Sequence, residues 1–323
     1  MNILITGVNG HIGSQLAASL LNTGHKIFGL DIKDDNIQYL YRNENFIFQN
    51  VDITKARALP DNLLEAEILI HCAALVHKSS KDLSRANYFR VNHEGTKNIL
   101  FAFHKSRLNH IIFLSTVSVY GNLAQNSIPD ENTDCRPEDF YGESKVEAEK
   151  EIQLFSEHHS IPYTIFRLAP VYGINFLLNV HKRIHLPFKL AFYKIGSGKQ
   201  RVSLCSILNI AQTIEGCLIN KKSYNEIYIL KDPIDYSIND IIHTLREVYS
   251  QKIKLIVPIP AWLPKIIFGS VMLFSPKKGR LLLSQFRKIE KDYCFSGNKI
   301  RLAGYPLDWD LKHTLATSFK ESG

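Results

Sequence analysis

A glycine-rich turn near the start of the sequence constrains the fold more than any other feature. The stretch Thr6–Gly13 reads TGVNGHIG and lies between an apolar run, Ile3–Ile5, and a helix-like segment, Ile12–Asn22. Glycines at this spacing permit a tight turn, let the backbone approach a pyrophosphate and let the helix pack against the strand. Amide groups at a helix N-terminus favour an anion. The turn therefore predicts a dinucleotide-binding strand–turn–helix unit, with a plain structural turn as the weaker interpretation.

Short apolar runs continue to alternate with amphipathic stretches through the first half of the chain. The predicted strands, besides Ile3–Ile5, are Lys26–Leu30, Phe46–Phe48, Ile68–His71, Ile111–Leu114 and Thr164–Leu168. Their apolar residues show no two-residue period, as expected for strands buried on both faces. Strand–helix alternation predicts an α/β, Rossmann-type, doubly wound parallel sheet with helices on both faces.

The rhythm is less regular after the last of these strands. A strand at Glu226–Leu230, a helix at Ser237–Ser250 with Ser237 as its N-cap, and a basic helix near Lys277–Lys291 are predicted. We therefore expect an NAD(P)-binding domain over 1–168 that carries the catalytic residues. Residues 169–323 are expected to form a smaller, partly interwoven substrate-binding domain, with some segments returning to the first.

Composition and charge narrow the class of protein. The 323 residues carry a formal net charge of +8, which suits a nucleotide ligand, but Lys and Arg form no long run. Nucleic acid is therefore not expected as a partner. Five cysteines without C-x-x-C spacing predict neither a disulfide framework nor a metal site. The chain opens without the features of a signal peptide, and a cytoplasmic location is expected.

One apolar segment, Leu255–Phe274, raises the question of a membrane. Pro258, Pro260 and Pro264 would break the first half of a spanning helix. The segment predicts an apolar helix over Trp262–Phe274 that covers a pocket or lies on a surface. Stable membrane insertion is not expected, and shallow contact with a membrane remains open.

Several polar or small residues follow predicted strands, where a cofactor would lie. Asp31 ends the second apolar run, 18 residues after Gly13, where a carboxylate accepts hydrogen bonds from a ribose diol. It favours NAD over NADP, although Lys33 nearby keeps NADP open. Asp52-Ile53 follows the third strand and is a candidate to flank the adenine. Small residues at Ala73-Ala74 would let the nicotinamide lie against the backbone.

A hydroxyl, a tyrosine and a lysine are the candidates for chemistry. Tyr141 and Lys145 are four residues apart, so a helix over 138–155 puts both on one face. An ammonium group near a phenol is expected to lower the phenol pKa from about 10. Such a tyrosine exchanges a proton with an alcohol near neutral pH. Thr116, after the fifth strand, is expected to hold the reacting substrate oxygen, with Ser115 and Ser118 as competitors.

Together these motifs resemble the extended short-chain dehydrogenase/reductase family over nearly the whole chain. The matching segments are Thr6–Gly13, Asp31, His71–Ala74, Val91–Asn98, Ser115-Thr116, Tyr120-Gly121, Tyr141–Lys145 and Arg167–Gly173. The resemblance implies that Thr116, Tyr141 and Lys145 are the catalytic hydroxyl, acid/base and lysine, and that Asn92 supports the active-site helix. The cofactor-binding residues it implies are Gly7, Asn9, Gly10, His11, Ile12, Gly13, Asp31, Asp52, Ile53, Ala73, Ala74, Asn92, Tyr141 and Lys145.

Within that family the sequence is most similar to bacterial nucleotide-sugar 4-epimerases and 4-keto reductases. The similarity implies substrate-binding roles for Ser118, Asn175, Phe176 and Arg201. The chain departs from the pattern at four places. His11 replaces an aromatic residue, Leu168 a proline, Val202 the arginine expected to grip the diphosphate, and Val76 a lysine of some epimerases.

The resemblance implies an NAD-dependent 4-epimerase acting on a UDP-hexose or UDP-N-acetylhexosamine. The alternatives are an NAD(P)H-dependent 4-keto reductase with the same residues, a more distant steroid-type dehydrogenase and a non-catalytic dinucleotide sensor. Because the family often pairs through helices of the catalytic domain, it also implies a homodimer. The helices concerned are those over Asn87–His104 and Glu138–Phe155.

Overall fold

The structure of the chain is a computed structural model. It describes residues 1–55, 60–76, 84–103, 107–122, 124, 127–173, 184, 191–248, 255–276, 279, 282–283, 286 and 290–317. Two residues of the predicted substrate loop, Asn175 and Phe176, lie outside the described residues, as does most of the predicted basic helix near 277–291.

The described residues contain strands of two kinds, a set in one large sheet and a set of short pairs. In chain order the strands are β1 (Asn2–Thr6), β2 (Lys26–Asp31), β3 (Phe46–Asn50), β4 (Ile68–His71), β5 (His110–Thr116), β6 (Tyr163–Leu168), β7 (Val171–Tyr172), β8 (Phe192–Ile195), β9 (Arg201–Ser203), β10 (Cys205–Ser206), β11 (Glu226–Leu230), β12 (Asp235–Ser237) and β13 (Ile256–Ile259). All six strands predicted in the first half are present.

The helices lie between these strands. They are α1 (His11–Asn22), α2 (Arg85–Tyr88), α3 (Gly95–Ala102), α4 (Phe140–His159), α5 (Ile207–Ile219), α6 (Ile238–Val248), α7 (Trp262–Phe274), α8 (Asn298–Leu302) and α9 (Leu311–Thr317). A π-helical turn over Phe89–Glu94 joins α2 to α3, and 3-10 turns cover Gln38–Arg42, Asp61–Glu65, Val117–Tyr120 and Lys221–Ser223.

Seven strands form one parallel sheet in the order β11-β6-β5-β4-β1-β2-β3. Chain order reverses between β1 and β4, which is the switch point of a Rossmann-type sheet. The prediction of a doubly wound α/β fold is therefore confirmed. Because the strands are parallel, Thr6, Asp31, His71 and Thr116 end their strands at the same edge of the sheet.

Side chains alternate between two buried layers, one on each face of the sheet. Ile3 and Ile5 of β1 pack with α1 and α5, whereas Leu4 packs on the opposite face with the layer that contains Ile99 and Ile152. Burial on both faces explains why the strand sequences show no polar alternation.

The second half of the chain both completes this sheet and builds a separate core. β11 pairs with β6 as an outer strand, while β7, β9, β12, α6 and α9 surround a third cluster that includes Tyr172, Val202 and Leu245. Ser237 caps α6 as predicted: its hydroxyl accepts from the Asp240 amide at 3.1 Å, and the Asp240 carboxylate accepts from the Ser237 amide at 2.9 Å.

Two predicted helix boundaries are wrong. The segment predicted as one helix over 87–104 is interrupted by the π turn, and its last described helical residue is Ala102. The active-site helix begins at Phe140 and not at 138, because Asp139 accepts from the Gly142 amide at 2.7 Å as its N-cap. Within the described residues, no helix has both the length and the apolar character to cross a membrane.

Candidate active site

The glycine-rich turn has the geometry that its sequence predicts. Gly7 adopts φ +70°, and a Cβ there would lie 2.7 Å from the backbone of Ala73 in the loop after β4. Only glycine satisfies both conditions. Gly10 is the N-cap of α1 and supplies no side chain to cap it, so the start of the helix is open toward an anion. His11 is exposed in the first turn, while Ile12 packs against the sheet.

Asp31 lies beside this turn at the end of β2. Its carboxylate accepts from the amide of Asn9 at 3.1 Å and from the amide of Ile32 at 2.7 Å. The Asn9 side chain donates to Asp35 and accepts from the Asn36 amide, so it fixes the adjoining loop. The open helix terminus and the neighbouring carboxylate fit the diphosphate and ribose of a dinucleotide.

The two residues after β3 differ in their surroundings. Burial tends to raise the pKa of Asp52, but hydrogen bonds from Thr54 outweigh that effect and the pKa lies below its usual value. Ile53 is buried against the start of α3, where a Cβ on Gly95 would lie 2.8 Å from its side chain. The Asp52 carboxylate is thus held by Thr54, and the Ile53 side chain is occupied by core packing.

A buried hydrogen-bond chain crosses the sheet edge through His71. Thr96 donates its hydroxyl proton to the Asn92 carbonyl at 2.6 Å, so it accepts from His71 Nε2 at 2.8 Å. His71 Nδ1 must then accept from the Thr6 hydroxyl at 2.6 Å, and that hydroxyl accepts from the Ala73 amide at 3.2 Å. Burial lowers the pKa of His71 to about 3, which keeps the ring neutral.

Asn92 links this series of hydrogen bonds to the active-site helix. Its side-chain NH2 group donates to the Ser144 hydroxyl at 2.9 Å and to the Leu75 carbonyl, and its side-chain oxygen accepts from the Leu75 amide at 2.6 Å. Ser144 in turn donates to the Tyr141 carbonyl at 2.8 Å. Asn92 lies in the π-helical turn, a feature that often marks functional positions. Its position agrees with the supporting role that the family resemblance implies.

The side chains of Thr116 and Tyr141 lie next to each other at the end of β5, close enough for the Thr116 hydroxyl to lower the pKa of the Tyr141 phenol. The approach is close because Gly142 follows the tyrosine: a Cβ there would lie 2.7 Å from the Ser118 carbonyl and 2.9 Å from Pro137. The Thr116 hydroxyl also accepts from the Ser118 amide at 3.1 Å. The fold thus brings together Thr116 and Tyr141, the two residues that the sequence analysis assigned to the reacting oxygen and to proton transfer.

The pKa of Tyr141 does not follow the prediction. Burial is the main influence and raises it, the Asp139 charge adds to that effect, and the Thr116 hydrogen bond opposes it. The expected lowering by the Lys145 ammonium is not seen. That side chain lies over the Phe113 ring, with Nζ 3.9 Å from the ring centroid. Four-residue spacing placed both residues on the same side of α4 but did not fix where the long lysine side chain ends.

Lys145 is nevertheless an unusual group. It is 1% exposed, and burial lowers its pKa to about 7, while the charge of Glu149, one turn further along α4, acts in the opposite direction. Glu149 is itself paired with Arg167 at 2.8 Å and accepts a short hydrogen bond from Ser115. This ties Ser115 to a structural ion pair and leaves Thr116 as the hydroxyl beside Tyr141.

The predicted substrate contacts are less complete. Ser118 is partly buried in the 3-10 turn next to Thr116. Arg201 is exposed on β9; its guanidinium lies 4.0 Å from Asp235, and its amide donates to Asp292 at 2.7 Å. Val202 points into the core. Asn175 and Phe176 lie outside the described residues.

Sequence reasoning missed the partners that support the site. Gly142, Ser144, Thr96 and Glu149 all act through contacts with residues distant in the sequence. A usable signal was the histidine that ends β4, since a polar ring at the end of a buried strand needs partners.

Comparison with known proteins gives a family match over most of the chain. The model of the "NAD dependent epimerase/dehydratase family" matches residues 3–228. A UDP-glucose 4-epimerase of Vibrio cholerae is 29% identical over 276 residues, covering 84% of this chain and 82% of that protein. An N-acetyl-alpha-D-glucosaminyl-diphospho-ditrans,octacis-undecaprenol 4-epimerase of Escherichia coli O157:H7 is 27% identical, covering 98% and 95%.

Solved structures agree on the fold. The UDP-glucuronic acid 4-epimerase from Bacillus cereus, in complex with NAD, superposes with a TM-score of 0.77 at 23% identity, covering 100% of this chain and 99% of that one. The UDP-glucose 4-epimerase of Thermotoga maritima gives 0.75 at 19% identity, covering 100% and 99%. The likeness therefore extends through both halves of the chain.

Proposed function

This chain belongs to the NAD dependent epimerase/dehydratase family, and we propose that it is a nucleotide-sugar 4-epimerase that oxidises a sugar hydroxyl transiently and reduces it again. The observation that carries the proposal is the placement of the Tyr141 phenol next to the Thr116 hydroxyl, at the sheet edge where the glycine-rich turn and Asp31 also lie. A dinucleotide sensor would need the turn and Asp31 but not this pair.

NAD is the proposed cofactor. The glycine-rich turn would hold its diphosphate at the open start of α1, and Asp31 would accept hydrogen bonds from a ribose diol. A bound nicotinamide supplies a hydride acceptor that returns the hydride within one cycle. His11, Ala73, Ala74 and Asp52 are retained as proposed contacts; Ile53 and Asn92 would act mainly by supporting the site.

Tyr141 Oη is the proposed proton acceptor. Thr116, beside the phenol, would hold the sugar oxygen, and the proton of that sugar hydroxyl would move to the Tyr141 phenolate as the alcohol is oxidised. The proton returns on reduction. Because burial raises the pKa of Tyr141, its phenolate needs a compensating positive charge. Lys145 is the nearest candidate on the same helix, and Glu149 helps to keep it charged.

A UDP-hexose or UDP-N-acetylhexosamine is the first substrate class that we propose. The Vibrio cholerae relative supports it by its activity on UDP-glucose. Ser118, Asn175, Phe176 and Arg201 are the proposed contacts, in a substrate domain over 169–323. The Escherichia coli relative, which matches nearly the entire chain, favours a second candidate: an N-acetylhexosamine joined through a diphosphate to a polyprenol. Both candidates share a sugar diphosphate.

The proposed enzyme is a cytoplasmic homodimer. All five cysteines are unpaired, which fits a reducing compartment. The outer faces of α3 and α4 expose Phe101 and Leu154 at 59% and 50%, beside a concavity of about 580 Å³. Family members often pair through these helices, and apolar side chains exposed on both of them support the same arrangement here.

Product analysis tests the proposed reaction. The purified chain is incubated with a panel of UDP- and dTDP-sugars, and with an N-acetylhexosaminyl diphospho-polyprenol, each with and without NAD(P)H. Inversion of one sugar carbon, seen by NMR without added cofactor, is the expected result. Consumption of NAD(P)H in proportion to product would instead identify a 4-keto reductase. Cofactor binding without turnover of any substrate would favour the sensor.

Replacement of the tyrosine tests the mechanism. Tyr141→Phe removes the proton acceptor and should lower kcat by roughly a hundredfold or more while NAD binding is kept. Tyr88→Phe is the matched control. The Tyr88 ring centroid lies 6.3 Å from that of Tyr141, and the proposed mechanism gives the Tyr88 phenol no part in proton transfer. Unchanged turnover in Tyr141→Phe would exclude the mechanism.

A further inference from the structure

Helix α7 exposes a broad apolar face. Trp262 and Ile266 are each 60% exposed, Ile267 49%, Leu273 81% and Phe274 91%. At about 100° per residue, these side chains, with Leu263 and Ser270, cover one contiguous face of about 140°. A surface helix of a globular protein normally shows the reverse pattern, with apolar residues directed inward. The exposed face therefore points to a partner that is itself apolar.

The opposite face of α7 holds the helix on the protein. Pro264 is buried, the Phe268 ring packs edge-on against Phe286 with centroids 5.8 Å apart, and Lys265 pairs with Glu290 at 2.6 Å. The exposed face is thus presented by a helix that is anchored from behind.

In the sequence, the net charge of the whole chain lies in the segment that contains this helix. Residues 252–291 contain nine Lys and Arg and one acidic residue, Glu290, a net charge of +8. The other 30 basic and 30 acidic residues of the chain cancel. An apolar helix in a segment of concentrated positive charge is complementary to a bilayer of anionic lipids, in which acyl chains accept apolar residues and headgroups attract basic ones.

We propose that α7 docks this protein on the surface of an anionic membrane. The helix has 13 residues and is about 20 Å long, less than the roughly 30 Å of a bilayer core, so it lies in the interface rather than across it. Trp262, at its start, is a residue type that favours that interface. A second copy of the chain is a poorer occupant, because each copy would bring the same positive charge to the contact. The docking inference does not rest on the proposed reaction.

Vesicle binding tests the proposal. The full chain is sedimented with vesicles that contain phosphatidylglycerol and with vesicles of phosphatidylcholine alone. Trp262 provides a second readout, because Trp309 is the only other tryptophan: in a Trp309→Phe variant, the emission should shift to the blue on anionic vesicles and be quenched by lipids with brominated acyl chains. Binding should weaken as salt is raised.

A double substitution, Ile266→Ser with Leu273→Ser, should weaken binding to anionic vesicles by roughly tenfold or more. Its matched control is Ile219→Ser with Leu302→Ser, which removes two side chains that are 85% and 83% exposed outside α7 and should leave binding unchanged. Circular dichroism and NAD binding confirm that the variants fold. The proposal is overturned if the chain does not bind anionic vesicles or if the two double variants bind them equally well. It is also overturned if the α7 double variant loses self-association rather than vesicle binding. Product formation from a UDP-sugar, measured without vesicles, tests the reaction separately.

Discussion

At the scale of single residues, the contact between Tyr141 and Thr116 depends on the absence of a side chain at Gly142. Alanine there would place Cβ 2.7 Å from the Ser118 carbonyl, so the first turn of α4 would have to move away from the 3-10 turn. Displacements of this size at a reacting group cost up to roughly a hundredfold in rate. We expect Gly142→Ala to lower kcat by roughly tenfold or more and to leave NAD affinity unchanged, as measured by steady-state kinetics and calorimetry.

Glu143→Ala is the control for that substitution. Glu143 follows in the same helical turn, and its carboxylate only pairs with Arg85 at the surface, at 3.1 Å. Its loss should change kcat by less than about twofold. A Gly142→Ala enzyme with the kcat of the unmodified chain would show that the tyrosine tolerates displacement.

His71 ties the stability of the site edge to pH. Its pKa falls from 6.5 in the unfolded chain to about 3 in the buried chain of hydrogen bonds, so below pH 6.5 the unfolded state binds a proton that the native state does not. Stability from this group is therefore complete above pH 6.5 and is lost as pH falls toward 3.

Replacement with glutamine removes this proton. When the pH is lowered from 6.5 to 5, the free energy of unfolding of the unmodified chain should fall by about 1.5 kcal/mol more than that of His71→Gln. Urea titration of both proteins at both pH values measures the difference. Equal losses in the two proteins would mean that His71 takes up a proton in the folded state.

At the scale of elements, the sequence predicted what depends on local pattern. The parallel strands were recognised because each is a short run of residues buried on both faces, and the turn before α1 because its glycines sit at fixed offsets. The interruption before α3 carries no such signal, since a π turn has the same composition as a helix. The bonds from Thr6 to His71 and from His71 to Thr96 span 65 and 25 residues, and spacing cannot reveal such pairs.

In the second half of the chain, one buried carboxylate, that of Asp232, holds several elements together. Its carboxylate accepts from Tyr172 at 2.7 Å, Tyr236 at 3.0 Å, the Ser206 amide at 2.7 Å and Asn209 at 2.8 Å. It thereby joins β7, β10, β12 and α5. Burial raises its pKa to about 7 despite these four donors.

Asp232→Asn puts an amide donor where only donors face it. We expect a loss of about 2 kcal/mol in unfolding free energy at neutral pH, measured by chemical denaturation. Asp308→Asn, at an exposed carboxylate that accepts from Gln212, should lose less than about 0.5 kcal/mol. Similar losses in both variants would argue that the four donors turn to other acceptors.

At the scale of the whole molecule, α4 faces the candidate active site on one side and the proposed partner subunit on the other. Lys145, Ala148 and Ile152 are buried inward, whereas Leu154 lies on the outer face with Phe101 of α3. A subunit interface on the outer face would hold the catalytic helix from behind without closing the site edge.

Charges placed on that outer face test the homodimer. Phe101→Asp with Leu154→Asp buries two unpaired carboxylates in the proposed interface, which should raise the dissociation constant of the dimer by roughly a hundredfold or more. We therefore expect the double variant to sediment as a monomer where the unmodified chain sediments as a dimer. Leu302→Asp adds a charge at a side chain that is 83% exposed on α8 and should leave the dimer intact. Because Tyr141 and Lys145 lie on the inner side of α4, the monomer should still bind NAD. A double variant that sediments as the unmodified protein does would place the subunit contact elsewhere.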